Sequence, residues 1–337
     1  MEVSAIRRAA ALVEACEGRR LFAVGPFLDV VFAGTEGVDY FTVKSVGDTI
    51  RVQGPSGVST YKAADLRSVR IEGRGGNDNI AVTANVPTYL LGGDGNDRIN
   101  GGPANDTVEG GDGDDQIYGN GGNDRLSDDF GSDTVDGGSG DDKVLAGSNA
   151  DDSDFYFGRD GNDTISYELR ILRPDPSYAP RVTVISLDGR RSSGLVITDG
   201  TPHGYYESDQ INGDFENAIG TSGRDAIYAN DAANQIDSFG GDDSVRGYGG
   251  NDLINTGDGN DTIEGGDGDD TVFAGGHDDL LIGGAGRDKL NGQAGNDQLF
   301  SRGDGLIDIL DGGTGFDTAT ADQGTVADQV FAVESRA

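Results

Sequence analysis

Aliphatic residues recur through most of this chain at intervals of nine, with longer steps only from Ile80 to Ile99, Val144 to Ile165 and Leu299 to Leu310. The first series runs Ile80, Ile99, Val108, Ile117, Leu126, Val135, Val144 and Ile165. The second runs Ile227, Ile236, Val245, Ile254, Ile263, Val272, Leu281, Leu290, Leu299 and Leu310. Between these positions the chain is polar and rich in Gly, Asn and Asp. One apolar residue in nine suits neither an amphipathic helix nor a strand that alternates over its whole length. It predicts a three-residue strand that points one side chain inward, followed by a six-residue turn.

A second ladder keeps step with the first. Asp97, Asp106, Asp115, Asp124, Asp133, Asp142 and Asp151 are spaced by nine. So are Asp225, Asn234, Asp243, Asp252, Asp261, Asp270, Asp279, Asp288 and Asp297. Around each Asp the turn is glycine-rich: Gly92, Gly93 and Gly95 precede Asp97, and Gly110, Gly111 and Gly113 precede Asp115. Gly265, Gly266 and Gly268 precede Asp270, and Gly283, Gly284 and Gly286 precede Asp288. The shared pattern is G-G-x-G-x-D-x-U-x, with U aliphatic.

This pattern resembles the calcium-binding nonapeptide repeat of the RTX, or haemolysin-type, family of bacterial secreted proteins. The resemblance covers roughly residues 72–166 and 220–320. It implies an all-β fold, a right-handed parallel β-roll in which two repeats make one coil. Residues 18 apart then stack at about the strand spacing of 4.8 Å. Asp97, Asp115 and Asp133 fall on one edge, and Asp106, Asp124 and Asp142 on the other. In the second array one edge carries Asp225, Asp243, Asp261, Asp279 and Asp297; the opposite edge carries Asn234, Asp252, Asp270 and Asp288. The resemblance implies several Ca²⁺ ions, each held between stacked turns by the Asp side chains and by turn carbonyls.

Composition fits that chemistry. The chain has 60 Asp and Glu against 25 Lys and Arg, a formal charge of -35. So many carboxylates need solvation or a bound cation. Ca²⁺ is a hard cation that takes six to eight oxygen ligands. Phosphate backbones need clustered Lys and Arg, so no nucleic-acid partner is expected. Cys16 is alone, which excludes an intrachain disulfide, and only His203 and His277 are available for histidine chemistry. No apolar run is long enough to span a bilayer. The resemblance implies an extracellular or cell-surface setting, where Ca²⁺ binding supplies folding free energy.

Some turns depart from the pattern. Ala104 and His277 stand where the fourth-position Gly is expected, and Asp128-Asp129 replaces an opening Gly pair. Gly73 to Asp78 lacks its second Gly, and Asn234 follows Asp231-Ala232-Ala233. Such turns are expected to hold Ca²⁺ weakly or not at all. Outside the arrays, residues 1–71 read as an N-terminal cap. It has a short helix within residues 4–16, strands at 40–43 and 49–52, and a worn repeat at 34–39. Residues 167–219 read as an insert with extra strands near 182–187 and 195–197, and 321–337 as a C-terminal cap.

The function expected is calcium binding in a secreted or surface structural or adhesive module, without catalysis. Its extracellular ligand is unknown. The alternatives are a polysaccharide lyase or epimerase-like β-helix enzyme, or the C-terminal module of a larger secreted toxin or hydrolase. No G-x-S-x-G elbow and no H-E-x-x-H helix occurs, and the segment before the repeats is short for a catalytic domain. A polysaccharide site could be built from Arg170, Arg173, Arg181, Arg190 and Arg191 around the insert, although cationic side chains are usually solvated. Arg302-Gly303-Asp304 spells an adhesion tripeptide, a motif too short to weigh much.

Overall fold

The computed structural model describes residues 19–23, 28–146, 153–168, 181–187, 194–197, 210–301, 306–321, 328–333 and 335–336. The expected helix within 4–16, the tripeptide at 302–304 and Arg170, Arg173, Arg190 and Arg191 lie outside them. The chain divides into two units, Met1–Gly147 with Asp154–Asp163, and Ser148–Ser153 with Thr164–Ala337.

In the first unit the strands alternate between two sheets. One sheet pairs Leu28–Ala33, Leu66–Gly75, Thr88–Asp94, Thr107–Asp112, Arg125–Phe130 and Lys143–Leu145, all parallel and in that order. The other pairs Tyr40–Val46, Asn79–Val82, Arg98–Asn100, Gln116–Gly121, Thr134–Ser139 and Phe155–Asp160, again parallel. Each coil thus gives one strand to each sheet. The register is the repeat doubled: Val108 faces Leu126, and Ile117 faces Val135. The strands read at 40–43 and 49–52 form an antiparallel hairpin with Val43 opposite Val52. Gly57–Lys62 extends it to three strands.

The second unit repeats the plan. One sheet runs from Thr164–Ser166 and Asn217–Ile219 through Gln235–Asp237, Leu253–Asp258, Thr271–Gly276, Lys289–Ala294 and Ile309–Asp311 to Gln329–Phe331. The other starts at Arg181–Ser186 and Asp225–Tyr228 and continues through Ser244–Gly249, Thr262–Asp267, Leu280–Ala285 and Gln298–Phe300 to Thr318–Thr320. Gly194–Ile197 adds an antiparallel strand on Arg181–Ser186.

Every aliphatic residue of the two nine-residue series is buried, none above 1% exposure. They form one inward row per sheet, which is all the core a nine-residue repeat can supply. The other large buried group is polar: nearly every ladder Asp is as inaccessible as the aliphatic rows. The fold is therefore a parallel β-solenoid. Among the described residues there is no α-helix, only the 3-10 turn Ala63–Asp65, and no helix long and apolar enough to cross a membrane.

Candidate metal centres

The turn between two strands is built so that its Asp folds back over its own first residue. A Cβ on Gly92 would sit 2.2 Å from Asp97 Oδ2, so a side chain there collides with the carboxylate. The second residue meets the neighbouring coil. Gly111 has φ +113, and a Cβ on it would lie 2.1 Å from the carbonyl oxygen of Gly93. Glycine removes both conflicts and lets successive turns stack backbone on backbone.

Each ladder Asp is tied to the coil before it. The backbone N–H of Asp97 donates to Asp115 Oδ1 at 2.7 Å, and that of Asp115 to Asp133 Oδ1 at 2.6 Å. Asp106 and Asp124 do the same toward Asp124 and Asp142, at 2.7 and 2.8 Å. In the second unit the links run Asp225 to Asp243 to Asp261 to Asp279 to Asp297 on one edge. They run Asn234 to Asp252 to Asp270 to Asp288 on the other. All fourteen Asp assigned to the four edges stand in these ladders.

The second carboxylate oxygen divides the turns into two kinds. In twelve of them the Oδ2 atom is buried and accepts no hydrogen bond: Asp78, Asp97, Asp115, Asp124, Asp133, Asp142, Asp243, Asp252, Asp261, Asp270, Asp279 and Asp297. Four residues before each of these, the backbone has positive φ, whether at Gly93 (φ 110), Asn120 (φ 71) or Tyr248 (φ 70). The first Asp or Asn of each ladder is different. Thr35 N–H donates to Asp39 Oδ2, Gly102 N–H to Asp106 Oδ2, Thr221 N–H to Asp225 Oδ2 and Asn230 N–H to Asn234 Oδ1. None of Thr35, Gly102, Thr221 and Asn230 has positive φ. These four turns close on themselves, while the twelve named above leave a bare oxygen inside.

A buried carboxylate with one unpartnered oxygen resists ionisation. Burial pushes Asp133 up to about 9 and Asp243 to about 8. It takes Asp115, Asp124, Asp270 and Asp279 to about 7. Asp78, Asp97, Asp142, Asp252 and Asp297 reach about 6. The donated backbone N–H opposes the shift in every case, after the larger effect of the Ser238 hydroxyl at Asp243, and stacked carboxylates add to it in most. Such a donor set fits a hard cation: carboxylate oxygens, buried, repeated and without hydrogen-bond donors, whose ionised form a cation would stabilise. No histidine or thiol takes part, which disfavours a zinc-type site.

The structure also extends the ladders beyond the fourteen. Asp39 and Asp78 lead one edge. Asp154 and Asp163 continue the first unit, receiving the N–H groups of Asp133 and Asp142. Asp308, Asp317 and Asp328 continue the second. The sequence ladder ran to Asp151, and that step is corrected. Three extra residues precede the next coil, so Asp154 takes the place, while Asp151 lies outside the described residues. The signal was present, because Asp154-Phe155-Tyr156 and Asp163-Thr164-Ile165 keep an Asp two residues before an inward side chain.

A parallel solenoid lined by rows of buried, unpartnered carboxylate oxygens is a cation-binding repeat protein. The family described as RTX calcium-binding nonapeptide repeat (4 copies) matches residues 91–126, 118–152, 150–166, 210–245, 219–254, 246–276 and 273–304. Together these make up just over half of the chain, which belongs to that family and binds multiple Ca²⁺ ions. Among solved structures, the chain is similar to a hyperactive, Ca²⁺-dependent, β-helical antifreeze protein from an Antarctic bacterium. That likeness has 17% identity over 89% of this chain and 80% of the other, with a TM-score of 0.23. No match is found among curated proteins.

Proposed function

We propose that the twelve bare Oδ2 atoms and the carbonyls of the stacked turns are the Ca²⁺ ligands, and that the ions complete a secreted or cell-surface structural or adhesive module. The observation that carries this reading is the orphaned oxygen itself. A buried ionised oxygen without a donor is costly, and one such atom recurs in coil after coil. Ca²⁺ satisfies the carboxylates and neutralises neighbours that otherwise repel. The thin aliphatic rows leave little else to hold the coils together, so metal binding acts as folding free energy. Extracellular calcium modules have dissociation constants of about 10⁻⁴–10⁻³ M. At cytosolic calcium levels the chain then stays unfolded, and it sets outside the cell. In this reading residues 1–71 and 321–337 cap the arrays at 72–166 and 220–320, and 167–219 is a lateral insert. Circular dichroism in chelator, followed by a Ca²⁺ titration with Mg²⁺ as control, tests it. A cooperative gain of β signal with Ca²⁺ alone is expected; a chain that is folded in chelator at neutral pH overturns it.

A further inference from the structure

Among the described turns the first position holds Gly, Ala, Ser or Thr, as at Gly110, Ala274, Ser238 and Thr256, and in one it holds a carboxylate. At Gly110 a Cβ would lie 2.4 Å from Asp115 Oδ2, and at Gly137 one would lie 2.5 Å from Asp142 Oδ2. At the equivalent position of the turn ending in Asp133 stands Asp128, fully buried. One carboxylate oxygen from each of Asp128, Asp133 and Asp154 lies within 4.8 Å of the other two. Asp133 is 1% exposed and its Oδ2 has no hydrogen-bond donor.

The lining of this pocket is also unusual. Tyr156 occupies the inward strand position, in register with Val135, where the coils before carry aliphatic side chains. Its hydroxyl lies within hydrogen-bonding distance of Asp128 Oδ2 and 3.1 Å from Asp154 Oδ2. The ordinary ladder site draws its carboxylates from the sixth position of the repeat alone. Here a third carboxylate enters from the first position, in a place closed to water.

We infer that Asp128, Asp133 and Asp154 form a distinct three-carboxylate cation site, tighter than the ladder sites and selective for higher charge. It rests on the calcium reading of the ladders for two of its three ligands. Ligand charge count sets affinity in oxygen sites. Ca²⁺ leaves one negative charge uncompensated among three carboxylates, whereas a trivalent lanthanide leaves none. The site therefore takes Ca²⁺ in the working protein and exchanges it for a lanthanide before any ladder site does.

The test is a Tb³⁺ titration of the full Ca²⁺-loaded chain, with emission excited through tyrosine and bound metals counted by mass spectrometry. The first equivalent of Tb³⁺ should replace one Ca²⁺ and give sensitised emission, because Tyr156 touches the ligands. Asp128→Asn keeps the shape and removes the charge; Asp128→Gly restores the ordinary turn. Each should weaken the first Tb³⁺ equivalent by at least about tenfold and leave Ca²⁺-dependent folding in place. Tyr156→Phe should keep the bound Tb³⁺ and lose most of the emission. Equal affinity for the first equivalent in the wild type and both Asp128 variants overturns the inference. So does full emission from Tyr156→Phe. A wild-type chain that folds without Ca²⁺ instead overturns the ladder reading, while the first Tb³⁺ equivalent still reports on the trio.

Discussion

The opening turn of each ladder and the turns that follow share one nine-residue frame, yet solve opposite problems. In the turn of Asp225, the N–H of Thr221 reaches the carboxylate at 2.7 Å and satisfies it from within. In the turn of Asp270, the equivalent residue Gly266 has φ +123, and Asp270 Oδ2 is left bare. A single backbone dihedral thus separates a self-sufficient turn from one whose carboxylate is left a donor short, the turn proposed to take a cation. The comparison teaches that metal dependence is a property of peptide orientation as much as of acidic content. Asp225 and Asp270 are equally buried, but only one of them lacks a donor.

Removing the metal should have the largest effect, since it strips every open turn at once. Chelation at pH 8 is expected to abolish most β signal. Acidification should reverse that loss. Burial raises every open-turn carboxyl above the ordinary carboxylate value in the folded chain without metal, to between about 6 at Asp97 and about 9 at Asp133 where a value is set. A folded-state pKa raised above the unfolded one gives stability that is complete below the unfolded pKa and lost as pH rises through the folded value. The chelated chain should therefore gain β structure as pH falls from 8 toward 4. Dichroism that stays flat across that window would remove the link between bare carboxylates and calcium demand.

A backbone substitution comes next. Gly111→Ala places a Cβ 2.1 Å from the Gly93 carbonyl oxygen at φ +113. Strain of this kind costs about 1–3 kcal/mol before the clash is counted. The Ca²⁺ midpoint of folding should rise several-fold; an unchanged midpoint would mean that the stacked turns yield easily.

The sharpest contrast sets Asp270→Asn against Asp225→Asn. The first removes the charge of an open turn and should lower bound Ca²⁺, with about 1–3 kcal/mol lost in saturating Ca²⁺. The second alters a turn that its own backbone already satisfies, and should leave the bound Ca²⁺ count unchanged. Equal losses of Ca²⁺ by equilibrium dialysis would erase the distinction between the two kinds of turn. Thr221→Ala is the mildest change. It deletes the hydroxyl that bonds Asp225 Oδ1 at 3.0 Å but keeps the N–H. About 1 kcal/mol of stability should go, with Ca²⁺ stoichiometry intact; a lost ion would place metal in the opening turn after all.

The ladders and the aliphatic rows were legible in the sequence because both are periodic and in phase. Asp97 over Asp115, and Val108 beside Leu126, follow from counting by 18. Asp154 was missed because three residues intervene and counting fails there. The two kinds of turn were not legible. Thr35 and Thr221 stand out as replacements for glycine, but Gly102 is a consensus glycine in a closed turn, and Arg74 a non-consensus residue in an open one. Side-chain identity does not fix which way a peptide faces when the neighbouring coil also presses on it. Asp128 was visible as a break in the repeat. Its meaning depends on Tyr156, 28 residues away in the chain and brought close only by coiling.

The bond from each Asp N–H to the next carboxylate is indifferent to the chain between them. It closes over 18 residues from Asp97 to Asp115, 19 from Asp78 to Asp97, 20 from Asp288 to Asp308, 21 from Asp133 to Asp154 and 39 from Asp39 to Asp78. Extra residues leave the rail without altering it. A protein built this way can acquire outward loops one at a time, each tried against the environment while the mineral spine stays as it was. For an engineer, the same property offers graft points: a foreign peptide set between two such Asp residues would be displayed on a scaffold that, on the proposed calcium reading, assembles when calcium is added and lets go when it is withdrawn.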